Sequence, residues 1–312
     1  MATHRLGWSE ELPPECRNGA LAIGNFDGVH RGHLALLEEL KGQAKQVRGP
    51  AVVLTFDPHP LQLLRPEQFK PVLTTLDDRA GLLQAHGADH VIILRTTREL
   101  LQRSAAEFFG KVVLSQVGAR ALVEGGNFAF GRDREGTIEK LRDFCQHAGV
   151  GFTIVPSFRT EDGIPVSSSR VRTALETGDV REAARLLGRP YRLRGTVAEG
   201  SQRGHKLGFP TANLENIQTL APLDGVYAVR VHRGKDRWAG AANIGPNPTF
   251  GEQARKVEVH VIGFQGNLYG DHLAIDFIAR LRDTRTFDGI GELVEQLKLD
   301  VREAERRVAG SH

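Results

Sequence analysis

The chain has 312 residues, and its 41 Lys and Arg against 38 Asp and Glu leave a formal net charge of +3. So small an excess speaks against a dedicated nucleic-acid binder, while the length suffices for two domains of about 150 residues, each with its own core. Cys16 and Cys145 are the only cysteines and supply neither a disulfide framework nor a metal pattern; residues 1–14 lack the apolar core of a signal peptide, and no apolar run nears the ~20 residues of a membrane span. A cytoplasmic enzyme is expected.

In the first half, apolar runs at 20–23, 51–56, 91–94, 119–124 and 152–156 alternate with helical spacing at 34–47, 77–86, 105–117 and 134–147. This is the pattern of a parallel sheet with crossover helices, whose ligands sit beyond the carboxyl ends of the strands. Between the first strand and first helix lies Gly24-Asn25-Phe26-Asp27-Gly28-Val29-His30-Arg31-Gly32-His33. The turn opens onto a helix N-terminus, where backbone N–H groups and the helix dipole favour an anion and glycines let phosphates come close. His30 and His33, three apart, share a face and reach one phosphate group, where prepositioned donors stabilise developing charge. Two other readings of a bare H-x-G-H are polar surface residues and part of a metal site; the strand-turn-helix setting favours the phosphate.

Two further segments follow strands or start helices: Gly125-Gly126-Asn127-Phe128-Ala129-Phe130-Gly131 and Val166-Ser167-Ser168-Ser169-Arg170-Val171-Arg172. Convergence of all three on one crevice is expected. Arg170, at a helix start capped by serines, suits a pyrophosphate clamp, although a solvated helix face is the plain alternative for Arg170 and Arg172. A short helix over 180–187, with Asp179 as N-cap and Gly188 and Pro190 as terminators, marks the end of a first domain spanning 1–188.

From 189 to 312 the period changes. Runs at 191–197, 225–232, 237–244, 257–263 and 273–279 alternate or are β-branched, with glycine or proline turns between them, which predicts an antiparallel β-barrel. A closing helix over 290–308 puts Leu293, Leu297, Val301 and Ala304 on one face. Thr211 and Asn213 offer a hydroxyl and an amide oxygen, donors suited to Mg²⁺ as ligands or water holders, with a plain turn after Pro210 as the alternative. From spacing alone Glu258 reads as a solvated strand carboxylate.

These residues resemble a known family. Residues 24–33 match the G-x-F-D-G-x-H-x-G-H signature of the bacterial FAD synthetase module, 125–131 its G-x-[ND]-F-x-F-G motif, and 166–172 its I-S-S-T-R-[IV]-R motif. In the second half, Gly195-Thr196-Val197 and Arg203-Gly204-His205-Lys206-Leu207-Gly208-Phe209-Pro210-Thr211-Ala212-Asn213 resemble the riboflavin kinase motif, as do 243–250, 258–260 and 268–270. Nearly the whole chain is thus similar to the bifunctional riboflavin kinase and FAD synthetase family of bacteria. The resemblance implies an N-terminal Rossmann-like nucleotidyltransferase domain (α/β) followed by a six-stranded kinase barrel with a terminal helix. It implies that riboflavin is phosphorylated to FMN, and FMN adenylylated to FAD with release of pyrophosphate, from ATP with Mg²⁺.

It further implies that Gly24, Asn25, Phe26, Asp27, Gly28, Asn127, Ser168 and Arg170 bind nucleotide or flavin beside His30 and His33. In the barrel it implies that Lys206, Gly208, Phe209, Pro210 and Asn243 bind substrate, that Thr211 and Asn213 hold Mg-ATP, and that Glu258 takes the proton from the ribityl hydroxyl. The adenylylation needs no comparable base, because a phosphomonoester with a second pKa of about 6 is mostly dianionic at neutral pH. Four positions depart from the pattern: Glu124 for an apolar residue, Gly126 for an acidic one, Ser169 for threonine and His205 for arginine. A weakened second step and a slower kinase step are expected from Gly126 and His205. Partners are expected to be small molecules alone, with no nucleic acid and no membrane, in a monomer or weak homo-oligomer. Two competing readings are an enzyme with one activity only, and a barrel that binds single-stranded nucleic acid.

Overall fold

The computed structural model describes residues 1–199, 207–247 and 252–311. The chain divides into two units, one of Met1–Lys70 with Thr74–Ser167 and one of Pro71–Leu73 with Ser168–His312.

In the first unit, β1 (Ala2–Leu6), β2 (Ala20–Ile23), β3 (Ala51–Asp57), β4 (His90–Arg95), β5 (Ala121–Gly125) and β6 (Gly151–Val155) form one sheet in the order β1-β4-β3-β2-β5-β6. Every pairing is parallel. Both faces are covered, which is why the central strands are apolar without alternation. Leu21, Ile23, Val52, Leu54, Ile92, Leu94 and Leu122 fill one core, and Ala20, Ala22, Val53, Val91, Ile93 and Val123 fill the other. The helices are α1 (Arg31–Gln46), α2 (Pro60–Leu64), α3 (Leu76–Ala85), α4 (Arg98–Leu101), α5 (Ala105–Phe108), which continues into π-helical turns over Phe109–Val117, and α6 (Ile138–Ala148). From β2 the chain steps through β3 to β4 in one direction, then returns to β5 and β6 on the other side of β2. The topological switch point therefore lies between β2 and β5, where such sheets bind ligands.

The expected elements are present with shifted ends. The helix expected over 134–147 begins at Ile138, because Asp133 and Arg134 sit at φ +52° and +60° and Thr137 caps the first turn. The strand expected from 119 begins at Ala121, since the Ala119 N–H bonds Val113 O and closes the preceding helix. The edge strand β1 carries no sequence signal, only Leu6 of its five residues being buried.

The second unit opens with α7 (Ser168–Glu176) and α8 (Val180–Leu187). Asp179 caps α8 by accepting from Glu182 N, and left-handed Gly188 ends it. A boundary at 188 would place both helices in the first domain; by contacts they group with the barrel, α8 against the strands Tyr191–Ala198 and His272–Arg282. The barrel is closed and antiparallel, β7 (Tyr191–Ala198), β8 (Ala212–Glu215), β9 (Gly225–Arg233), β10 (Asp236–Asn247), β11 (Glu252–Val261) and β12 (His272–Arg282) running in the order β10-β11-β8-β7-β12-β9. Closure leaves no unpaired edge. The terminal α9 (Ile290–Ala309) packs Ala304 against Ala228 and Ala279 and accepts a bidentate bond from Arg282 on Asp300. Its most buried positions are Asp300 and Ala304, with the expected Leu293, Leu297 and Val301 half-buried beside them.

Candidate active sites

At the β2 end of the switch point, Gly24–Val29 forms a tight loop in which Phe26, Gly28 and Val29 have φ of +48°, +83° and +41°. Left-handed backbone is costly for Phe and more so for β-branched Val, so the surroundings must hold the loop in place. Thr55 Oγ1 donates to Asn25 O (3.1 Å), and Gly28 N donates to Thr74 Oγ1 (3.1 Å). Asp27 is 2% exposed; its Oδ1 accepts from Thr74 N, Thr74 Oγ1 and Arg79 Nη2 at 3.2, 3.3 and 3.3 Å. Thus Asp27 and Phe26, expected at the nucleotide, turn inward, Asp27 to anchor the loop and Phe26 to pack edge-on against the His33 ring at 5.1 Å.

The loop delivers two histidines to the start of α1. His30 is the N-cap and His33 the third helical residue, and each Nδ1 accepts the other's backbone N–H at 3.3 Å. This reciprocal cap stacks the two imidazoles 3.6 Å apart at 14°. With Nδ1 an acceptor, the proton of each neutral ring sits on Nε2, which leaves each ring one donor. Gly32 leaves room for this pair: a Cβ there would come within 3.1 Å of the His30 ring and press on it. Arg31 and Gly32 add first-turn N–H groups that an α-helix leaves without intrahelical acceptors.

At the β5 end, Gly125 closes a turn through Phe128 N to Gly125 O (3.0 Å), leaving Gly126 and Asn127 exposed. Phe128 and Phe130 stack 5.5 Å apart and pack on the core. In the third segment Val166 O lies 3.8 Å from where a Gly32 Cβ would be, and Ser168 and Arg170 belong to α7 of the second unit. There Arg170 Nη2 pairs with Glu182 Oε1 at 3.0 Å, and bonds from Arg185, then the nearby Arg170, hold Glu182 below the usual carboxylate range.

Sequence reasoning gave no functional weight to Thr55, Thr74, Arg79 or Glu124. Glu124 is 1% exposed beneath the loop, and its Oε1 accepts Ile23 N at 2.7 Å beyond the last β2–β5 pair, Leu21 with Leu122. Burial, opposed only by that bond, pushes its carboxyl well above its usual range. A charged residue inside an apolar strand was the available signal.

In the barrel, register does the positioning. Glu258 on β11 lies directly opposite Asn213 on β8 and Asn243 on β10, so the three occupy one row across adjacent strands and share a face. Their sequence neighbours Ala212, Leu214, Val257, Val259, Ala242 and Ile244 are buried, while the row itself is half-buried. Thr211 is exposed just before β8. His260 Nδ1 lies 2.8 Å from Pro210 O, and its ring meets Phe209 edge-on at 5.6 Å, fixing the approach to β8. Gly208, at φ +84°, makes the turn before it. Beside Asn213 a cavity of about 470 Å³ is lined by Glu199, Glu215, Thr219, Arg255 and Lys256 among others, and Glu258 is not in its lining. Lys206 and His205 lie outside the described residues.

A parallel sheet with a histidine-capped phosphate loop at its switch point, joined to a closed barrel with a carboxylate between two amides, defines a two-module nucleotide-dependent transferase. The FAD synthetase family model matches residues 12–170 and the Riboflavin kinase model residues 187–308. Relatives described as bifunctional riboflavin kinase/FMN adenylyltransferase include one from Pseudomonas fluorescens (40% identity, 96% of each chain) and ones from Escherichia coli K12 (34%, 90% of each) and Bacillus subtilis (34%, 95% of this chain and 94% of that one). A solved Streptococcus pneumoniae structure described as a macrolide-efflux protein superposes with a TM-score of 0.87 at 30% identity, over 98% of this chain and 99% of that one. The chain belongs to the bifunctional riboflavin kinase/FMN adenylyltransferase family, and it phosphorylates riboflavin to FMN and adenylylates FMN to FAD.

Proposed function

We propose that residues 1–188 carry the adenylylation and residues 189–312 the phosphorylation, each with its own site. What carries this reading is the placement of the stacked histidine pair and the Asn213–Glu258–Asn243 row in different units. In the first site an FMN phosphate oxygen attacks the α-phosphorus of ATP; a phosphorus–oxygen bond forms, the bond to the β-phosphate breaks, and pyrophosphate leaves. His30 and His33 donate to the phosphoryl oxygens as charge grows on them, together with the start of α1. Asp27, Thr74 and Arg79 hold the loop that aims them. Asn127 bonds nucleotide or flavin from the exposed turn after β5, and Arg170, on the strength of its motif, is assigned to the pyrophosphate.

In the second site Glu258 accepts the proton of the ribityl hydroxyl as that oxygen attacks the γ-phosphorus of ATP, and ADP leaves. Asn243 positions substrate, as do Lys206, Gly208, Phe209 and Pro210. Thr211 and Asn213 present neutral oxygen donors beside the carboxylate, a donor set that fits Mg²⁺ and not a softer ion. Bound there, Mg²⁺ would neutralise phosphate charge. No helix among the described residues is long and apolar enough to cross a membrane. We place the enzyme in the cytoplasm, as a monomer or weak homo-oligomer acting on small molecules. The relatives named for flavin chemistry, at 34–40% identity, guide this reading; the efflux description of the pneumococcal chain does not.

The test is to incubate the protein with riboflavin and ATP, with Mg²⁺ or with a chelator, and separate the flavins over time. FMN followed by FAD, both abolished by the chelator, is expected. FMN alone would mean that the Gly126 departure disables the second step, and unchanged riboflavin would return the barrel to a binding module.

A further inference from the structure

Among the described residues, one group of nitrogen and sulfur side chains stands apart from both sites: His4, Cys16 and His90, whose ligand atoms all lie within 4.8 Å of one another. The edge strand β1 pairs with β4 in the register Ala2 to His90 and His4 to Ile92, so His4 and His90 project diagonally from one face. Cys16 ends a short 3₁₀ turn, Pro14–Cys16, and is fully buried on that same face in the core that holds Leu6 and Ile92. His4 Nε2 and His90 Nδ1 are 3.2 Å apart. Two imidazole nitrogens on a tetrahedral zinc, each about 2.0–2.1 Å from the ion, would stand about 3.3 Å apart, so this pair already has the spacing of two ligands.

We propose that His4, Cys16 and His90 bind one transition-metal ion of the zinc class, which clamps β1 and the turn before β2 onto β4. Two imidazoles and a thiolate suit zinc and reject Mg²⁺, so the site differs in kind from the oxygen donors at Thr211 and Asn213. On binding, Cys16 releases its thiol proton to solvent, the proton between His4 Nε2 and His90 Nδ1 moves to the other nitrogen of the ring that carries it, and the two freed nitrogens and the thiolate bond the ion. Water completes the tetrahedron. The location separates it from catalysis within the first unit: His90 begins β4, whereas the phosphate loop follows the carboxyl end of parallel β2. The ion would secure the edge strand, since among the described residues β1 pairs with β4 alone.

Sequence spacing hid the group, its members being separated by 12 and 74 positions (16 − 4 and 90 − 16). To test it, the full chain is freed of metal with a chelator and titrated with Co²⁺, whose thiolate charge-transfer band and tetrahedral visible bands report the ligands directly. One equivalent is expected to develop both, Zn²⁺ should bleach them, and Zn²⁺ should raise the thermal midpoint. Cys16→Ser and His90→Ala should lose the bands, while Cys145→Ser and His30→Ala should keep them. Should Cys16→Ser fail to fold, His4→Gln on the edge strand serves instead, expected to weaken Co²⁺ binding at least tenfold. The proposal is overturned by the absence of a thiolate band at stoichiometric cobalt, or by a band that survives Cys16→Ser or disappears with Cys145→Ser.

Discussion

Glu124 puts a carboxyl where the strand pattern calls for a hydrocarbon, and its partner explains why that is tolerated. The Ile23 N–H, left without a ladder partner where β2 parts from β5, is met by Glu124 Oε1 at 2.7 Å. An orphaned buried N–H costs about 1–3 kcal/mol, which the side chain offsets at the base of the phosphate loop. The carboxyl is raised above its usual 4.5, chiefly by burial, so the folded chain holds this proton after the unfolded chain has released it. Stability contributed by the neutral acid is therefore complete below about pH 4.5 and falls as pH rises toward the folded-state value. Glu124→Gln keeps the acceptor and removes the titration. Denaturant unfolding should show the two proteins alike in acid, with the variant ahead by a margin that widens through neutrality; a margin that stays flat or reverses would refute the assignment.

The phosphate loop shows which part of an element a sequence reveals. Its glycines, its histidines and its place between strand and helix were all legible, because a local backbone rule requires each of them. What restrains it was not: Thr55, Thr74 and Arg79 come from 22 to 46 residues beyond His33 (55 − 33 and 79 − 33), and nothing in their own surroundings marks them. Two short strands escaped for a related reason. β1 is an edge with one buried residue, and β8 has four residues tied into the sheet by β7 and β11. Thr74→Val, nearly isosteric, removes the hydroxyl that meets Gly28 N, Asp27 and Arg79. Losing 1–3 kcal/mol of restraint at this loop should slow FAD formation from FMN by roughly 5- to 150-fold. Riboflavin phosphorylation should stay at its original rate, and equal loss in both assays would mean general destabilisation instead.

At the scale of the molecule, the change of period from alternating helix and strand to short β runs was enough to expect a parallel sheet followed by a barrel, because each pattern reflects how a face is buried. Pairing register was not legible. Asn243 and Glu258 are 15 positions apart and Asn213 and Glu258 are 45 apart (258 − 243 and 258 − 213), and only the closed barrel sets them side by side. In sequence α7 and α8 look like further crossover helices, and in three dimensions they pack with the barrel. The central claim is that one chain holds two separate sites acting in series. The most direct test assays Glu258→Ala and His30→Ala with riboflavin and with supplied FMN, ATP and Mg²⁺ being present throughout. Glu258→Ala should make no FMN from riboflavin yet convert supplied FMN to FAD at the unaltered rate, and His30→Ala should carry riboflavin to FMN and stop. If Glu258→Ala lost FAD formation from FMN, or if His30→Ala still produced FAD at full yield, the assignment of the two chemistries to these two sites would be contradicted.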